Sequence, residues 1–299
     1  MRKRFARLLS IVLIAYFIHS FAYLREASAQ DHKSFLWRVQ SKTGNAYVLG
    51  SIHFLKKEMY PLPSKIENGF GQSDILVVEA NINDVTKLNL QKLMENAFYP
   101  ENDTLEKHVS TMTYELIKKE LGGPGASLQL VNRHRPWFLA MTLQAVELMK
   151  LGFDPNQGID KYFLSKATGK KEILELESID EQINLLSKLS DADQELFLLY
   201  TLMDLKAIGK EVDRLIKAWA SGDVKGMESI LTKSLAEDRR MSSIYEKLVY
   251  ERNRKMVLKI EDFLRTEKTY FVVVGAAHLV GDRGIIEILR GKGYVVEQL

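Results

Sequence analysis

The run ILVV inside DILVVEAN (74–81) sets the strongest limit on how this chain folds. Four consecutive apolar residues with no polar alternate suit a short strand of the buried type. FVVVG (271–275) has the same character, and AYVLG (46–50) approaches it. Between these runs lie segments with apolar residues at helical spacing, at 83–98, 111–123, 135–152 and 158–169, most of them ending in Gly or starting at Pro. Strands separated by helices favour a parallel or mixed sheet.

FLWRVQ and AYVLGSI, joined by SKTGN (41–45), read as a hairpin with a five-residue loop. Pro61 and Pro63 mark the start of a helix before ILVV. KKEILELES (170–178) returns to a strand, although its alternation is not clean. A helix over IDEQINLLSKL follows, then a long amphipathic segment from about 193 to 219 and another helix over 241–267. A strand, a helix and a strand close the chain. The order is β-β-α-β, a helical block, β, a second helical block, then β-α-β. The expected fold class is α/β or α+β, with a mixed sheet and a large helical middle region that covers its faces or forms a cap. Residues 30–299 are expected to be one domain with helical insertions at about 85–168 and 179–267.

The first residues are set apart. Arg2, Lys3, Arg4 and Arg7 precede an apolar stretch, and Ala27-Ser28-Ala29 gives a small-x-small cleavage pattern. These three regions make residues 1–29 a secretory signal peptide; an uncleaved N-terminal anchor is the alternative. The expected location is periplasmic or secreted, with no stable membrane span after cleavage. Without this segment, basic residues fall from 42 to 37 and acidic ones from 39 to 38, so the net charge moves from +3 to −1. The basicity therefore belongs to the leader, and no nucleic-acid footprint remains. The chain has no cysteine, which removes disulfides and thiolate metal sites. A metal would have to be held by His, carboxylate, amide or water.

Four expected strands end in a side chain with chemistry. AYVLG leads to His53, ILVV to Glu79, ILEL to Glu177 and FVVVG to His278. In open α/β sheets ligands gather beyond the carboxyl ends of the strands. If these strands are parallel, all four groups meet at one edge. Gly50 and Gly275, each three residues before a histidine, would allow a sharp turn there. Two imidazoles with one or two carboxylates suit a divalent cation such as manganese, cobalt or zinc, and a carboxylate not spent on it would serve as general base. The same residues also allow metal-free chemistry with one His as base, and the spacing alone does not choose. Arg252 and Asn253, in YERNRK, would hold an oxyanion or orient a carboxylate if they face this edge.

The remaining polar features read more plainly. His108 is expected to be a solvated helix residue and His32 part of a disordered terminus. His134 lies at a helix start, and a substrate-binding role for it with Arg133 and Arg135 is the less favoured reading. Asp160, in GIDKYF, reads as a helix cap or first-turn acid. AWASGD (218–223) reads as a helix end at Gly222 with Asp223 capping the next helix.

Taken in order, YVLGSIHF, YPLP, VVEAN, GIDKYF, ELES with DEQ, AWASGD, ERNRK and VVVGAAHLVGDRGIIEILRGKGY resemble the TraB/GumN family, from about residue 35 to 299. The resemblance implies a fold akin to the erythromycin-esterase and ChaN-like group, with two related sheet halves each offering Gly-x-x-His. It also implies a metal-dependent hydrolase, most plausibly a peptidase acting on an extracytoplasmic peptide or protein. His53, His278 and Glu79 would be the metal ligands, and Glu177 a further ligand or the base. Arg252 and Asn253 would steady the substrate carbonyl or the carboxylates. The motifs read Gly-Ser-Ile-His and Gly-Ala-Ala-His here, keeping both glycines and both histidines. Two alternatives stay open: a non-catalytic protein that binds or sequesters a peptide or glycan, and a metal-free His-based esterase-like hydrolase. No oligomeric state follows from the sequence.

Overall fold

A computed structural model describes residues 33–84, 89–122 and 128–299. The expected leader and His32 lie outside the described residues. The chain enters with strands β1 (Leu36–Gln40) and β2 (Asn45–Ser51). Asn45 pairs with Gln40, so the hairpin loop has four residues rather than the expected five. The cause is local: the Gln40 side-chain amide donates to Asn45 Oδ1 at 3.2 Å, extending the ladder by one pair. Helix α1 (Ser64–Gln72) starts after Pro63, as the proline pattern requires, and leads to β3 (Ile75–Val78).

The first helical block holds α2 (Leu90–Ala97), α3 (Thr111–Leu121), the single turn α4 (Leu128–Val131), α5 (Pro136–Lys150) and α6 (Ile159–Ala167). Strand β4 (Glu172–Glu175) follows. The second block contains α7 (Ile179–Ser187), α8 (Asp191–Asp204), α9 (Ile208–Ala220), α10 (Val224–Leu231), α11 (Lys233–Glu237), α12 (Met241–Tyr245) and α13 (Glu251–Leu264). Strand β5 (Thr269–Gly275), α14 (Ile285–Gly291) and β6 (Val295–Gln298) end the chain.

Two long helical readings resolve into finer pieces. The amphipathic segment expected at 193–219 is α8 and α9, joined through a tight turn over Leu205–Ala207. The turn itself holds no Gly or Pro, and Gly209 falls inside the first turn of α9, so periodicity ran straight through the break. The helix expected over 241–267 contains a π-helical turn, Glu246–Tyr250, between α12 and α13.

The strands form one six-stranded sheet in the order β4-β3-β5-β2-β1-β6. Strands β4, β3, β5 and β2 are mutually parallel, whereas β1 runs antiparallel to both of its neighbours. Alternate residues of β5 show how both faces are covered. Phe271 packs against Phe70 of α1 and Phe163 of α6, at ring separations of 5.5 and 4.8 Å. Tyr270, on the other face, stacks on Phe263 of α13 at 4.7 Å. Strand β4 lies at the sheet edge with only partial burial, which explains its unclean alternation. The helical middle also builds cores of its own. Ile117, Leu139, Leu143, Leu198 and Leu202 tie α3, α5 and α8 together, and Leu196 packs with Met241 and Ile244 of α12.

Candidate functional site

Because β2, β3, β4 and β5 are parallel, their carboxyl ends share one edge of the sheet. Backbone bonds carry the register past the strands: Glu79 N–H donates to Val273 C=O at 3.1 Å, and Glu177 N–H to Glu79 C=O at 2.8 Å. The two Gly-x-x-His strands are neighbours, with Gly50 opposite Val274 and Ser51 opposite Gly275. A Cβ placed on Gly275 would stand 3.4 Å from Glu79 Oε2, 3.5 Å from His278 Cδ2 and 3.8 Å from His53 Nε2. Three of the four strand-end groups therefore surround one space beside Gly275.

Each histidine is held by its far nitrogen. His278 Nδ1 lies 2.6 Å from Asn253 Oδ1, while the Asn253 amide donates to Arg283 C=O at 2.8 Å. That second bond assigns the oxygen to the histidine side, so Nδ1 carries the proton and Nε2 is left with a lone pair. The ring is buried, and burial lowers its pKa to about 4, keeping it neutral. His53 Nδ1 lies 2.7 Å from Asp160 Oδ2. This ring is 60 % exposed and faces solvent beside its buried carboxylate. The charge of Asp160 raises the His53 pKa from 6.5 to about 9. Both arrangements are of the kind that orient histidine for ligation through Nε2.

Glu79 divides its oxygens between two tasks. Oε1 accepts from Gln182 at 2.8 Å and from Arg252, while Oε2 accepts from Gly275 N–H at 3.0 Å and lies 3.8 Å from His278 Nε2. Burial alone would raise the Glu79 pKa. His278, which becomes charged only in acid, with Arg252, His53 and the Gly275 N–H, outweighs it and holds the pKa down to about 2. Glu177 is held differently from Glu79: Arg252 Nε spans both its oxygens at 3.0 Å, and Nη2 reaches one at 2.7 Å. Of the roles expected for Arg252 and Asn253, the structure places Arg252 against the two carboxylates and Asn253 against an imidazole. The π turn contributes as well, since Leu248 C=O accepts from Arg252 Nη1 at 3.0 Å. Such turns are frequent at functional sites.

Three supports were not legible as such. Asp160 is a first-turn acid, as read, but not a cap: the helix starts at Gly158 without a side-chain cap, and Asp160 is buried on the face of Leu164 and Ala167. That helical spacing was the signal available. Gly158 lets the helix approach, because a Cβ there would lie 2.3 Å from the His53 carbonyl oxygen. Trp219, from AWASGD, donates to Gly50 C=O at 2.7 Å and pins the end of β2. Asp223 caps α10 through Gly226 N–H, as read. His108 departs from the solvated reading: it bonds Asp103 at 2.7 Å and stacks on Tyr99 at 4.0 Å. His134 precedes α5 and packs against the rings of Phe98 and Phe138.

The sequence pattern of the TraB/PrgY/gumN family matches residues 35–298. The chain belongs to this family. Among family relatives, the protein YbaP of Escherichia coli (strain K12) is 28 % identical over 249 residues, spanning 82 % of this chain and 87 % of that protein. Metalloprotease TIKI1 of Danio rerio is 22 % identical, spanning 89 % of this chain and 63 % of that protein. A metalloprotease TIKI homolog of Amphimedon queenslandica is 25 % identical, spanning 89 % and 61 %. No solved structure matches the chain.

Among the described residues no three or more His, Cys, Asp and Glu side chains stand grouped so as to hold a metal ion. The donor chemistry around Gly275 nevertheless fits a divalent cation: two imidazole Nε2 atoms with their far nitrogens engaged, and one carboxylate oxygen. Gly275→Ala tests whether that space matters. Its φ of −51° suits alanine, and the nearest atoms lie at ordinary contact distance, so the thermal midpoint is expected to hold or rise slightly. A methyl group among the three donors is expected to weaken metal retention about tenfold or more, the scale of a disturbed ligand shell. Equal metal content in the variant and the parent would place the ion elsewhere.

Proposed function

We propose that this chain is a metal-dependent hydrolase that cleaves a peptide or protein outside the cytoplasm. The observation that carries this reading is the convergence of His53 Nε2, His278 and Glu79 Oε2 on the space beside Gly275. His53, His278 and Glu79 would hold the ion. With nitrogen and carboxylate donors and no thiolate, manganese, cobalt and zinc all suit the set. When bound, such an ion supplies Lewis acidity for hydrolysis. Arg252 keeps Glu79 ionised and aims Oε2 at the site, and Glu177 anchors Arg252. Asp160 and Asn253 orient the imidazoles. Two relatives named as metalloproteases support the peptide class, and the leader-like residues 1–29 support export. Among the described residues no helix is long and apolar enough to cross a membrane.

Metal counting by mass spectrometry on the chain from residue 30, purified without a metal-binding tag, tests the proposal. Stoichiometric metal is expected, lost in both His53→Ala and His278→Ala, followed by metal-dependent cleavage in a peptide screen. Metal-free protein after reconstitution with manganese, cobalt and zinc would end this reading. Tight peptide binding with no product would point instead to a sequestering protein.

A further inference from the structure

We infer that the cavity between α8, α9 and α12 is the subsite that receives an apolar side chain of the peptide substrate, next to a basic residue on the same peptide. This inference rests on the hydrolase reading above. The cavity measures about 470 Å³, within the range of small-ligand sites. Its walls include Phe197, Leu205, Ile208, Val212, Ile244 and Leu248.

Two of its boundaries belong to the strand-end site. Ala277, in its lining, immediately precedes His278 in the turn after β5. Leu248, also in its lining, lies in the π turn and offers its carbonyl to Arg252. An occupant would therefore touch the segments that set both a histidine and the guanidinium.

The polar groups in the wall are already engaged. Gln144 donates to Thr201 at 2.9 Å, Thr201 donates to Phe197 C=O at 2.9 Å, and Tyr200 donates to Asp238 at 3.1 Å. Tyr245 donates to Leu231 C=O. A polar occupant would lose its water and gain little, whereas an apolar one only leaves water. Charge at the rim adds a second constraint. Asp204 and Glu237 line the cavity and are exposed. Glu211 also lines it but is compensated by Arg214 at 2.9 Å and Lys233 at 3.8 Å, so the acidic balance rests on Asp204 and Glu237. The rim is net acidic, which favours a cationic neighbour on the peptide.

Binding of three capped tripeptides to the full mature chain, followed by calorimetry and by product analysis, separates the outcomes. Lys-Leu-Lys is expected to bind about tenfold or more tightly than Lys-Asp-Lys, the scale of burying one leucine side chain. Glu-Leu-Glu is expected to fall below Lys-Leu-Lys, with the gap closing at high salt. Ile208→Trp, which fills the cavity, is expected to erase the leucine preference while leaving metal content unchanged. Val212→Trp serves if the first variant does not fold. Absence of Lys-Leu-Lys binding, or a preference that survives both filled cavities, overturns the subsite. Cleavage without leucine preference would leave the hydrolase reading standing and sink the subsite. Cavity-dependent binding without cleavage would do the reverse.

Discussion

Replacing Arg252 with methionine is expected to cost the metal-free protein about 3–5 kcal/mol, the scale of breaking a buried ion pair. Arg252, Glu79 and Glu177 expose only 14, 11 and 11 % of their side chains. Without the guanidinium, two carboxylates would face each other at the sheet edge with Gln182 as their shared donor. A drop in thermal midpoint on the order of 10 °C follows for a unit of this size. The deficit depends on pH in a definite direction. Glu79 has a folded pKa lowered to about 2 against an ordinary 4.5. Its contribution is therefore present above pH 4.5 and lost as pH falls toward 2. In Arg252→Met the Glu79 pKa rises, so this contribution is missing at neutral pH and has little left to lose in acid. Urea unfolding at pH 7 and pH 4 checks this: the gap between parent and variant should be wide at the first and narrower at the second. Equal midpoints at pH 7 would show that Arg252 does not compensate these carboxylates. Arg252→Lys is expected to fall between, because an ammonium keeps the charge but not the fork.

Metal affinity is expected to rise about tenfold per pH unit between pH 6 and 8, because one proton leaves His53 on binding. The sign follows from Asp160, which raises the His53 pKa to about 9 so that the ring is protonated at neutral pH. A cation needs the Nε2 lone pair and competes with that proton. His278 adds no comparable slope, since its pKa lies near 4. Asp160→Asn should flatten the slope at neutral pH, yet weaken binding about 10–100-fold above pH 8, because the imidazole loses its orienting carboxylate. Asn253→Leu should weaken binding by a similar factor with the slope unchanged. Titration with a metal-competing dye across this pH range reads both effects. A flat pH profile in the parent would remove His53 from the ligand set.

Much of the site could be read from local pattern. The apolar runs ending at His53, Glu79 and His278 are visible in the chain, since a strand buried on both faces leaves no polar alternation and stops where a polar group appears. Asp160 and Gln182 were harder. Each sits in an ordinary amphipathic helix, where an acid in the first turn and an amide in the next look like solvent-facing choices. Their partners are 107 and 103 residues away, just past the ends of β2 and β3. Glu177 shows an intermediate case: its place at a strand end was legible and Arg252 was expected to meet a carboxylate there, but not which one, because 75 residues separate Arg252 from Glu177.

The sequence by itself determined the alternation of buried strands and helices, the Gly-x-x-His ends and the family motifs, all of which depend on spacing within a few residues. Only the tertiary structure decided that β2 and β5 are parallel neighbours, that Arg252 joins Glu79 to Glu177, and that Asn253 and Asp160 each hold one imidazole. These are choices of strand order and helix docking. They are made by packing between segments far apart in the chain, and no local periodicity encodes them.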